Sequence, residues 1–306
     1  MRILVTGGAG FIGSHVVEHF QGRADVRVLD NLRTGHRENL ADLDCELIEA
    51  SILDEDAVRQ AVDEVDYVFH MAAFVSVPES MSDPLECVRI NCEGTLNVLT
   101  AAAAAGVKKL CFSSSSAVYG ETGGGAEAED LKPAPRSPYA VTKLDGEFYC
   151  DMFSAERGLP TACLRYFNVF GPRQDPHSAY AAAIPHFIDR AIRGDDLVIY
   201  DDGEQTRDFV YVKDVVAANV HLAFGGQSGI FNTAYGRGTT INDLAQKIIE
   251  LTGSSSGLAY QPPRPGDIRH SLADTRRLAA TGFQPAGDFS RGLAATVDHF
   301  RNRDPN

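Results

Sequence analysis

The sequence has no tryptophan and only six cysteines among its 306 residues, and no two cysteines stand in a Cys-x-x-Cys pair. The missing pairs argue against a structural zinc site. Several cysteines stand inside apolar runs, as small buried side chains do, and not in the pattern of a secreted disulfide framework. We therefore expect a reduced, cytoplasmic protein without a metal centre.

Basic residues are outnumbered, since 28 Lys and Arg stand against 42 Asp and Glu, which gives a formal net charge of −14 at pH 7. A surface of that charge repels nucleic acid and anionic lipid, so we expect neither as a partner. Long apolar runs are also missing, because none approaches the roughly 18 residues that cross a membrane. Residues 1–6 lead straight into a glycine-rich loop, and we expect no signal peptide ahead of it.

Short apolar runs alternate with helical patterns up to about residue 170. The runs lack the strict alternation of half-exposed strands, so we predict parallel strands that are buried on both faces and joined by helices. The predicted strands are 3–6, 26–29, 46–48, 67–69, 109–112 and 161–166. The predicted fold is α/β, with a Rossmann-like doubly wound parallel sheet over residues 1–170.

Beyond residue 170 glycine and proline become frequent, and the regular alternation of apolar runs and helical patterns ends. Helical patterns remain at 215–224, 241–251 and 291–300. We predict a smaller, mixed substrate domain over residues 171–306, with some later segments returning to the first domain. In the first domain, a long helix is predicted over 85–105, ending before Gly106.

A glycine loop follows the first predicted strand. Gly7, Gly10 and Gly13 are spaced three apart and precede a helix that begins near Phe11. Without Cβ atoms the turn can tighten and the backbone can approach a pyrophosphate, while the helix N-terminus supplies free N–H groups. A tight turn without a ligand is the alternative, and the position between strand and helix favours dinucleotide binding.

Asp30 closes the second predicted strand. A carboxylate there accepts hydrogen bonds from ribose hydroxyls and repels a 2′-phosphate, which favours NAD over NADP. Arg33 stands three residues later and leaves the NADP alternative open.

Tyr139 and Lys143 are four residues apart, so on a helix they share one face. A phenol has a reference pKa of about 10, and an ammonium about 6 Å away at an effective dielectric near 20 lowers it by about two units. We therefore predict a lowered pKa for Tyr139 and a role as general base. The serine run 113–116 ends the fifth predicted strand, at the edge where open α/β sheets bind ligands.

These motifs occur together with Arg207-Asp208-Phe209 and Arg264-Pro265-Gly266-Asp267 in one order along the chain. In that order the sequence resembles the extended short-chain dehydrogenase/reductase family, the NAD-dependent epimerases and dehydratases, and within it the nucleotide-sugar epimerases. The resemblance covers essentially the whole chain. It implies NAD-dependent C4 epimerisation of a UDP-hexose through a transient 4-keto sugar. A Rossmann-fold protein that only binds NAD has no need of a tyrosine, a lysine and a strand-end serine together.

The resemblance also implies site residues. The catalytic group consists of Ser115, Tyr139 and Lys143, with Ser114 and Ser116 as rivals for the serine. The cofactor-binding residues are Gly7, Gly10, Phe11, Ile12, Gly13, Asp30, Asn31, Ser51, Ile52, Ala72, Ala73, Tyr139, Lys143 and Phe167. The substrate-binding residues are Ser76, Asn168, Tyr200, Arg207, Arg264, Asp267 and Ser271.

Two features narrow the activity. Family members that catalyse 4,6-dehydration or decarboxylation of a nucleotide sugar carry acidic residues after the catalytic serine. In this sequence Ser116 and Ala117 occupy those positions. Ser271 occupies the position where a large side chain excludes N-acetyl groups, so we expect UDP-N-acetylglucosamine and UDP-N-acetylgalactosamine as substrates. A UDP-glucose 4-epimerase without N-acetyl preference is the alternative.

Relatives form a homodimer through helices that match 85–105 and 139–157, although packing of these helices on their own sheet is equally compatible with the sequence.

Overall fold

The computed structural model describes residues 1–176, 183–263 and 268–302. Its strands, in chain order, are β1 (Arg2–Thr6), β2 (Asp25–Asp30), β3 (Glu46–Glu49), β4 (Tyr67–His70), β5 (Lys109–Ser115), β6 (Thr161–Tyr166), β7 (Asn168–Phe170), β8 (Leu197–Tyr200), β9 (Thr206–Arg207), β10 (Phe209–Tyr211), β11 (Gly229–Thr233), β12 (Thr239–Thr240) and β13 (Leu258–Gln261). All six predicted strands are present, within three residues at either end.

The helices follow the strands closely. In chain order they are α1 (Phe11–His19), α2 (Glu55–Val62), α3 (Val77–Ser82), α4 (Pro84–Val88), α5 (Gly94–Ala104), α6 (Pro138–Arg157), α7 (Ala183–Arg193), α8 (Val212–Phe224), α9 (Ile241–Thr252), α10 (Arg276–Ala280) and α11 (Phe289–Arg301). Within the described ranges, no helix is both long and apolar enough to cross a membrane.

A seven-stranded sheet in the order β11-β6-β5-β4-β1-β2-β3 forms the centre of the protein, and all of its pairings are parallel. The order reverses at β1, which lies between β4 and β2. Thr6 is opposite both Leu29 and His70, so the carboxyl ends of these strands meet at one edge. Open α/β sheets bind ligands at this kind of reversal. The predicted Rossmann-like fold is confirmed.

Helices cover both faces of the sheet and bury two apolar clusters. One face carries Val16, Val17 and Leu222 from α1 and α8, and the other carries Val98 and Leu99 from α5. A third cluster joins α7, α9 and α11 to β8. The small two-stranded sheets β7–β10, β9–β12 and β8–β13 stand beside the main sheet. Strand β11 and helix α8 lie beyond residue 170 but pack with the main sheet.

The long helix predicted over 85–105 is present from Pro84 to Ala104, as α4 and α5 joined by a π-helical turn, and Gly106 follows it with a φ of +71°. A π-helical turn at Arg89–Glu93 separates α4 from α5. Asn91 lies in this turn. Its side-chain amide donates to the carbonyl of Phe74 at 3.1 Å and to the Thr142 hydroxyl at 2.9 Å. These buried hydrogen bonds connect three segments, which local helix propensity does not reveal.

Candidate active site

The glycine loop has the geometry that a dinucleotide needs. Gly7 has a φ of +70°, and a Cβ there would lie 2.6 Å from the backbone nitrogen of Ala72. A Cβ on Gly13 would lie 2.1 Å from the carbonyl oxygen of Gly7. Gly10 is different, because its backbone is extended and a Cβ would approach only the Gly7 carbonyl, at 3.2 Å. The fold therefore requires Gly7 and Gly13, while the open side of Gly10 leaves room for a ligand.

The first turn of α1 presents unused donors beside Gly10. Gly10 is the N-cap and makes no side-chain hydrogen bond to the helix, and the first turn holds no acidic residue. The first N–H groups of the helix, on Phe11, Ile12 and Gly13, thus meet no competing side-chain cap. Free N–H groups and the positive end of the helix dipole favour a phosphate, so these residues fit the pyrophosphate of NAD.

Asp30 ties this loop to the end of β2. One carboxylate oxygen accepts the N–H of Ala9 at 2.9 Å and the other accepts the N–H of Leu32 at 2.8 Å. The Arg33 guanidinium, which could have bound a 2′-phosphate, instead forms ion pairs with Glu79 at 3.2 Å and Glu86 at 3.6 Å. Two carboxylates already neutralise it, which removes the main argument for NADP.

Tyr139, Lys143 and Ser115 come together at the carboxyl ends of β5 and β6. Ser137 caps α6 by accepting the N–H of Ala140 at 3.2 Å, and Pro138 occupies the first turn. The Ser115 hydroxyl hydrogen-bonds the Tyr139 phenol. The Lys143 ammonium donates to the carbonyl of Ser113 at 2.7 Å and lies 5.8 Å from the centre of the Tyr139 ring. The structure therefore brings the three predicted catalytic residues together.

The predicted lowering of the Tyr139 pKa is wrong for the protein alone. Burial raises the pKa of Tyr139 above its usual value, and the hydrogen bond from Ser115 opposes that rise only in part. Burial also lowers the pKa of Lys143 to about 8. The cost of removing the Tyr139 phenol from water outweighs its attraction to the Lys143 ammonium, and spacing along the helix does not reveal that cost.

The rival serines have other partners. Ser114 donates to Glu147, and the Glu147 carboxylate holds Arg165 through two hydrogen bonds of 2.8 and 2.7 Å. Both charged side chains are almost completely buried, at 1% and 2% exposure. Ser116 begins a short 3₁₀ turn that continues to Val118. Ser115 is thus the serine that contacts Tyr139.

Sequence reasoning missed the Glu147–Arg165 pair, although its signal was present. Glu147 lies four residues after Lys143 and eight after Tyr139, so all three share one face of α6. Helix α6 approaches β5 closely at Gly146, where a Cβ would lie 2.3 Å from the Phe112 ring. This approach lets the three side chains reach the successive serines of β5.

A cavity of about 380 Å³ opens where β7, β9 and α7 meet, and three predicted substrate residues line it: Asn168, Tyr200 and Arg207. The Asn168 amide donates to the carbonyl of Asp208 at 3.4 Å, and Arg207 donates to the carbonyl of Thr206 at 2.9 Å. The volume lies within the usual range for small-molecule sites, about 300–1,000 Å³. One wall of the cavity is Gln205, which sequence reasoning missed.

The remaining cofactor predictions have local partners but stay predictions. Ser51 accepts the N–H of Leu53 at 3.2 Å, and Asn31 accepts the N–H of Arg33 at 3.2 Å. Ile52 fills the space beside Gly94. The N–H of Ala72, which precedes Ala73, donates to the Thr6 hydroxyl at 3.2 Å, and Phe167 packs against Val118 and Tyr119.

The predicted sugar-binding residues are placed only in part. Ser76 caps α3 by accepting the N–H of Glu79 at 3.2 Å. Ser271 is buried, and its N–H donates to the carbonyl of Thr206 at 3.2 Å, beside Arg207. Arg264 and Asp267 lie outside the described residues.

Two buried carboxyl groups, those of Glu127 and Asp208, lie beside the segment that follows Ser271. Glu127 is 2% exposed, and its backbone N–H donates to the carbonyl of Leu272 at 2.8 Å. Burial raises the pKa of Glu127 to about 7 and that of Asp208 to about 6. One Glu127 oxygen accepts from Thr122 at 3.2 Å, and the other has no partner among the described residues. No sequence pattern pointed to Glu127.

Comparison with known proteins gives a consistent result. The family model described as the NAD dependent epimerase/dehydratase family matches residues 3–234. A UDP-N-acetylglucosamine 4-epimerase from Methanobrevibacter ruminantium M1, solved with UDP-N-acetylmuramic acid, is 42% identical with a TM-score of 0.95 over 98% of each chain.

Two further solved structures carry the comparison to other ligands. The Thermotoga maritima UDP-glucose 4-epimerase with UDP-glucose is 41% identical, with a TM-score of 0.94 over 98% of this chain and 99% of its own. The Thermus thermophilus UDP-glucose 4-epimerase with NAD is 40% identical, with a TM-score of 0.92 over 99% and 100%. The chain therefore belongs to the NAD-dependent epimerase/dehydratase family, as its motifs predict, and it is an enzyme with NAD as its cofactor.

Proposed function

We propose that the protein interconverts the C4 epimers of a UDP-hexose, with UDP-N-acetylglucosamine and UDP-N-acetylgalactosamine as the preferred pair. The observation that carries the reaction is the hydrogen bond between Ser115 and Tyr139 beside Lys143, at the sheet edge that also bears the glycine loop. The similar solved structures named as 4-epimerases of UDP-N-acetylglucosamine and UDP-glucose support the sugar-nucleotide class.

Each residue of the constellation has one role in the reaction. Tyr139 takes the proton of the sugar 4-hydroxyl, and Ser115 holds that hydroxyl beside the phenol. Lys143, anchored on Ser113, supplies positive charge next to the ring. Bound NAD⁺ would supply a hydride acceptor at C4 and a positive charge that favours the phenolate. Arg207 binds the diphosphate while the 4-keto sugar turns over.

The N-acetyl preference rests on Ser271. In the family that the sequence resembles, this position borders the sugar. Ser271 hydrogen-bonds through its backbone to Thr206, which precedes the cavity residue Arg207. A serine leaves the volume that an N-acetyl group requires, and a tyrosine would fill it.

The second candidate is a UDP-glucose/UDP-galactose 4-epimerase without N-acetyl preference, which the names of two similar structures favour. Dehydration and decarboxylation fit less well. Elimination requires an acid and a base that act at neighbouring carbons of the sugar. Enzymes of those two activities have carboxylates after the catalytic serine, where this chain has Ser116 and Ala117.

The test is an assay of four substrates: UDP-glucose, UDP-galactose and their two N-acetylated counterparts. We expect the highest kcat/KM with the N-acetylated pair. Ser271→Tyr should abolish turnover of that pair and spare UDP-galactose, while Ser228→Tyr, at an exposed position on another surface, should change neither. Equal losses on both pairs in Ser271→Tyr would contradict the size argument.

We also propose a homodimer. Large apolar side chains are exposed on α3, α4 and α6, among them Met81 at 62%, Leu85 at 81%, Phe148 at 64% and Met152 at 46%. Helices α3 and α4 both contact α6, and exposed apolar side chains on neighbouring helices favour burial against a partner, for which a second copy presents the same surface. Phe148→Glu should convert the dimer to a monomer in light scattering. A dimer of unchanged stability in that variant would contradict this arrangement.

The proposed compartment is the cytoplasm. All six cysteines are free, and five of them are buried. Free thiols persist in a reducing compartment. The partner proposed there is the UDP-sugar, with neither nucleic acid nor membrane involved.

A further inference from the structure

Arg33 joins two segments that leave the main sheet on opposite sides of β1. It lies three residues beyond the end of β2, whereas its partners all follow β4. The guanidinium forms ion pairs with Glu79 in α3 at 3.2 Å and with Glu86 in α4 at 3.6 Å, and it lies 4.7 Å from the centre of the Phe74 ring. Since β1 stands between β4 and β2 in the sheet, the Arg33 side chain passes across the edge at which β1 ends.

The glycine loop lies between the two segments that Arg33 joins. On one side, a Cβ on Gly7 would lie 2.6 Å from the backbone nitrogen of Ala72, just after β4. On the other side, a Cβ on Gly35 would lie 2.9 Å from the carbonyl carbon of Ala9, within the loop itself. Because this loop and the first turn of α1 fit the pyrophosphate of NAD, the Arg33 contacts span the crevice in which the cofactor belongs.

Both ends of this connection are held by the fold. Phe74 is 4% exposed, its backbone N–H donates to the Asn91 side chain at 2.7 Å, and its carbonyl accepts the Asn91 amide at 3.1 Å. The backbone N–H of Arg33 donates to the Asn31 side chain at 3.2 Å. The Arg33 side chain is 38% exposed and is the long, adjustable part between two fixed anchors. Its contacts can therefore break and re-form while both segments keep their places.

The two ion pairs are at the surface, where such pairs contribute little to the stability of a fold. They matter for the crevice in two other ways. A guanidinium that stacks on an aromatic ring and pairs with two carboxylates is confined to one position. It also neutralises Glu79 and Glu86, which would otherwise add to the net charge of −14 that opposes the diphosphate of the cofactor.

We propose that Arg33, Phe74, Glu79 and Glu86 form a clasp that closes over bound NAD and slows its release. While Arg33 holds its partners, its side chain blocks the way out of the crevice above the glycine loop. Release requires the guanidinium to leave both carboxylates and the Phe74 ring together. The proposal concerns how long the cofactor stays, so it holds whichever sugar the enzyme converts.

The experiment follows radiolabelled NAD as it leaves the loaded full chain in the presence of excess unlabelled NAD and without any sugar. The variants are Arg33→Ala, Arg33→Glu and the exchange of Arg33→Glu with Glu79→Arg, which restores an ion pair in the reverse order. Arg37→Ala is the matched control, because Arg37 pairs with Glu49 at the end of β3 and does not reach across β1. Melting temperatures show that each variant is folded.

We expect Arg33→Ala to release NAD at least about fivefold faster than the wild type, as the loss of one well-placed ion pair allows. Arg33→Glu should release it faster still, because three carboxylates then face the diphosphate. The exchange variant should release NAD more slowly than Arg33→Glu, and Arg37→Ala should match the wild type. A smaller acceleration in Arg33→Ala overturns the proposal, as does an exchange variant as fast as Arg33→Glu. Equal acceleration in Arg33→Ala and Arg37→Ala also overturns it, because net charge alone would then explain the effect.

Discussion

Replacing Glu127 with glutamine should change how the stability of the protein depends on pH. Glu127 is 2% exposed, one of its oxygens has no partner among the described residues, and burial raises its pKa from 4.5 to about 7. The nearby Asp208 carboxylate acts in the same direction. Glutamine has nearly the same shape and never ionises, so it keeps the packing and removes the titration.

The sign follows from the proton count. Between pH 4.5 and 7 the folded protein holds the Glu127 proton and the unfolded chain releases it, so this group's contribution to stability falls as the pH rises. It is fully present below pH 4.5 and is lost above about pH 7. The difference between the two pKa values corresponds to up to about 3 kcal/mol.

Urea unfolding followed by circular dichroism at pH 4, 6 and 8 measures this effect. We expect the free energy of unfolding of Glu127→Gln, minus that of the wild type, to rise by up to about 3 kcal/mol between pH 4 and pH 8. Glu121→Gln, at an exposed position of the same loop, serves as the control and should follow the wild type. A constant difference between Glu127→Gln and the wild type across the three pH values would refute the assignment.

Two further substitutions test the cofactor loop and the base. Tyr139→Phe should leave NAD binding and thermal stability unchanged and lower kcat by about 10²–10⁴-fold, because the ring stays and the acid–base group is lost; near-wild-type kcat would disprove the base. Gly10→Val should weaken NAD binding at least tenfold, measured by fluorescence titration, with little change in Tm, because the Gly10 backbone is extended and the added side chain fills the open side of the loop. Unchanged NAD affinity in Gly10→Val would show that the cofactor lies elsewhere.

The main sheet and the start of the catalytic helix could be predicted because their signals are local. Apolar runs without alternation indicate buried parallel strands, and six of the seven strands of the sheet were found in this way. Ser137 and Pro138 mark the first turn of α6, and Gly158, with a φ of +65°, ends it. The spacing of Tyr139 and Lys143 then fixes their shared face.

The features that were missed depend on contacts between distant segments. The strand β11 lies after the region where the alternating pattern ends, and it pairs with β6 across about 60 residues. Glu127 is buried because Leu272 and Asp274 pair with its backbone. The pKa of Tyr139 depends on burial between elements, which spacing along one helix does not contain.

In the proposed reaction, C4 of the sugar is oxidised and reduced within one active site, and Tyr139 takes and returns the hydroxyl proton. The most direct measurement uses UDP-N-acetylglucosamine with deuterium at C4, incubated with the NAD-loaded protein in ordinary water. We expect UDP-N-acetylgalactosamine to form with the deuterium still at C4, detected by mass spectrometry and NMR, and we expect Tyr139→Phe to form almost none. Product that has exchanged its C4 deuterium for solvent hydrogen would contradict it.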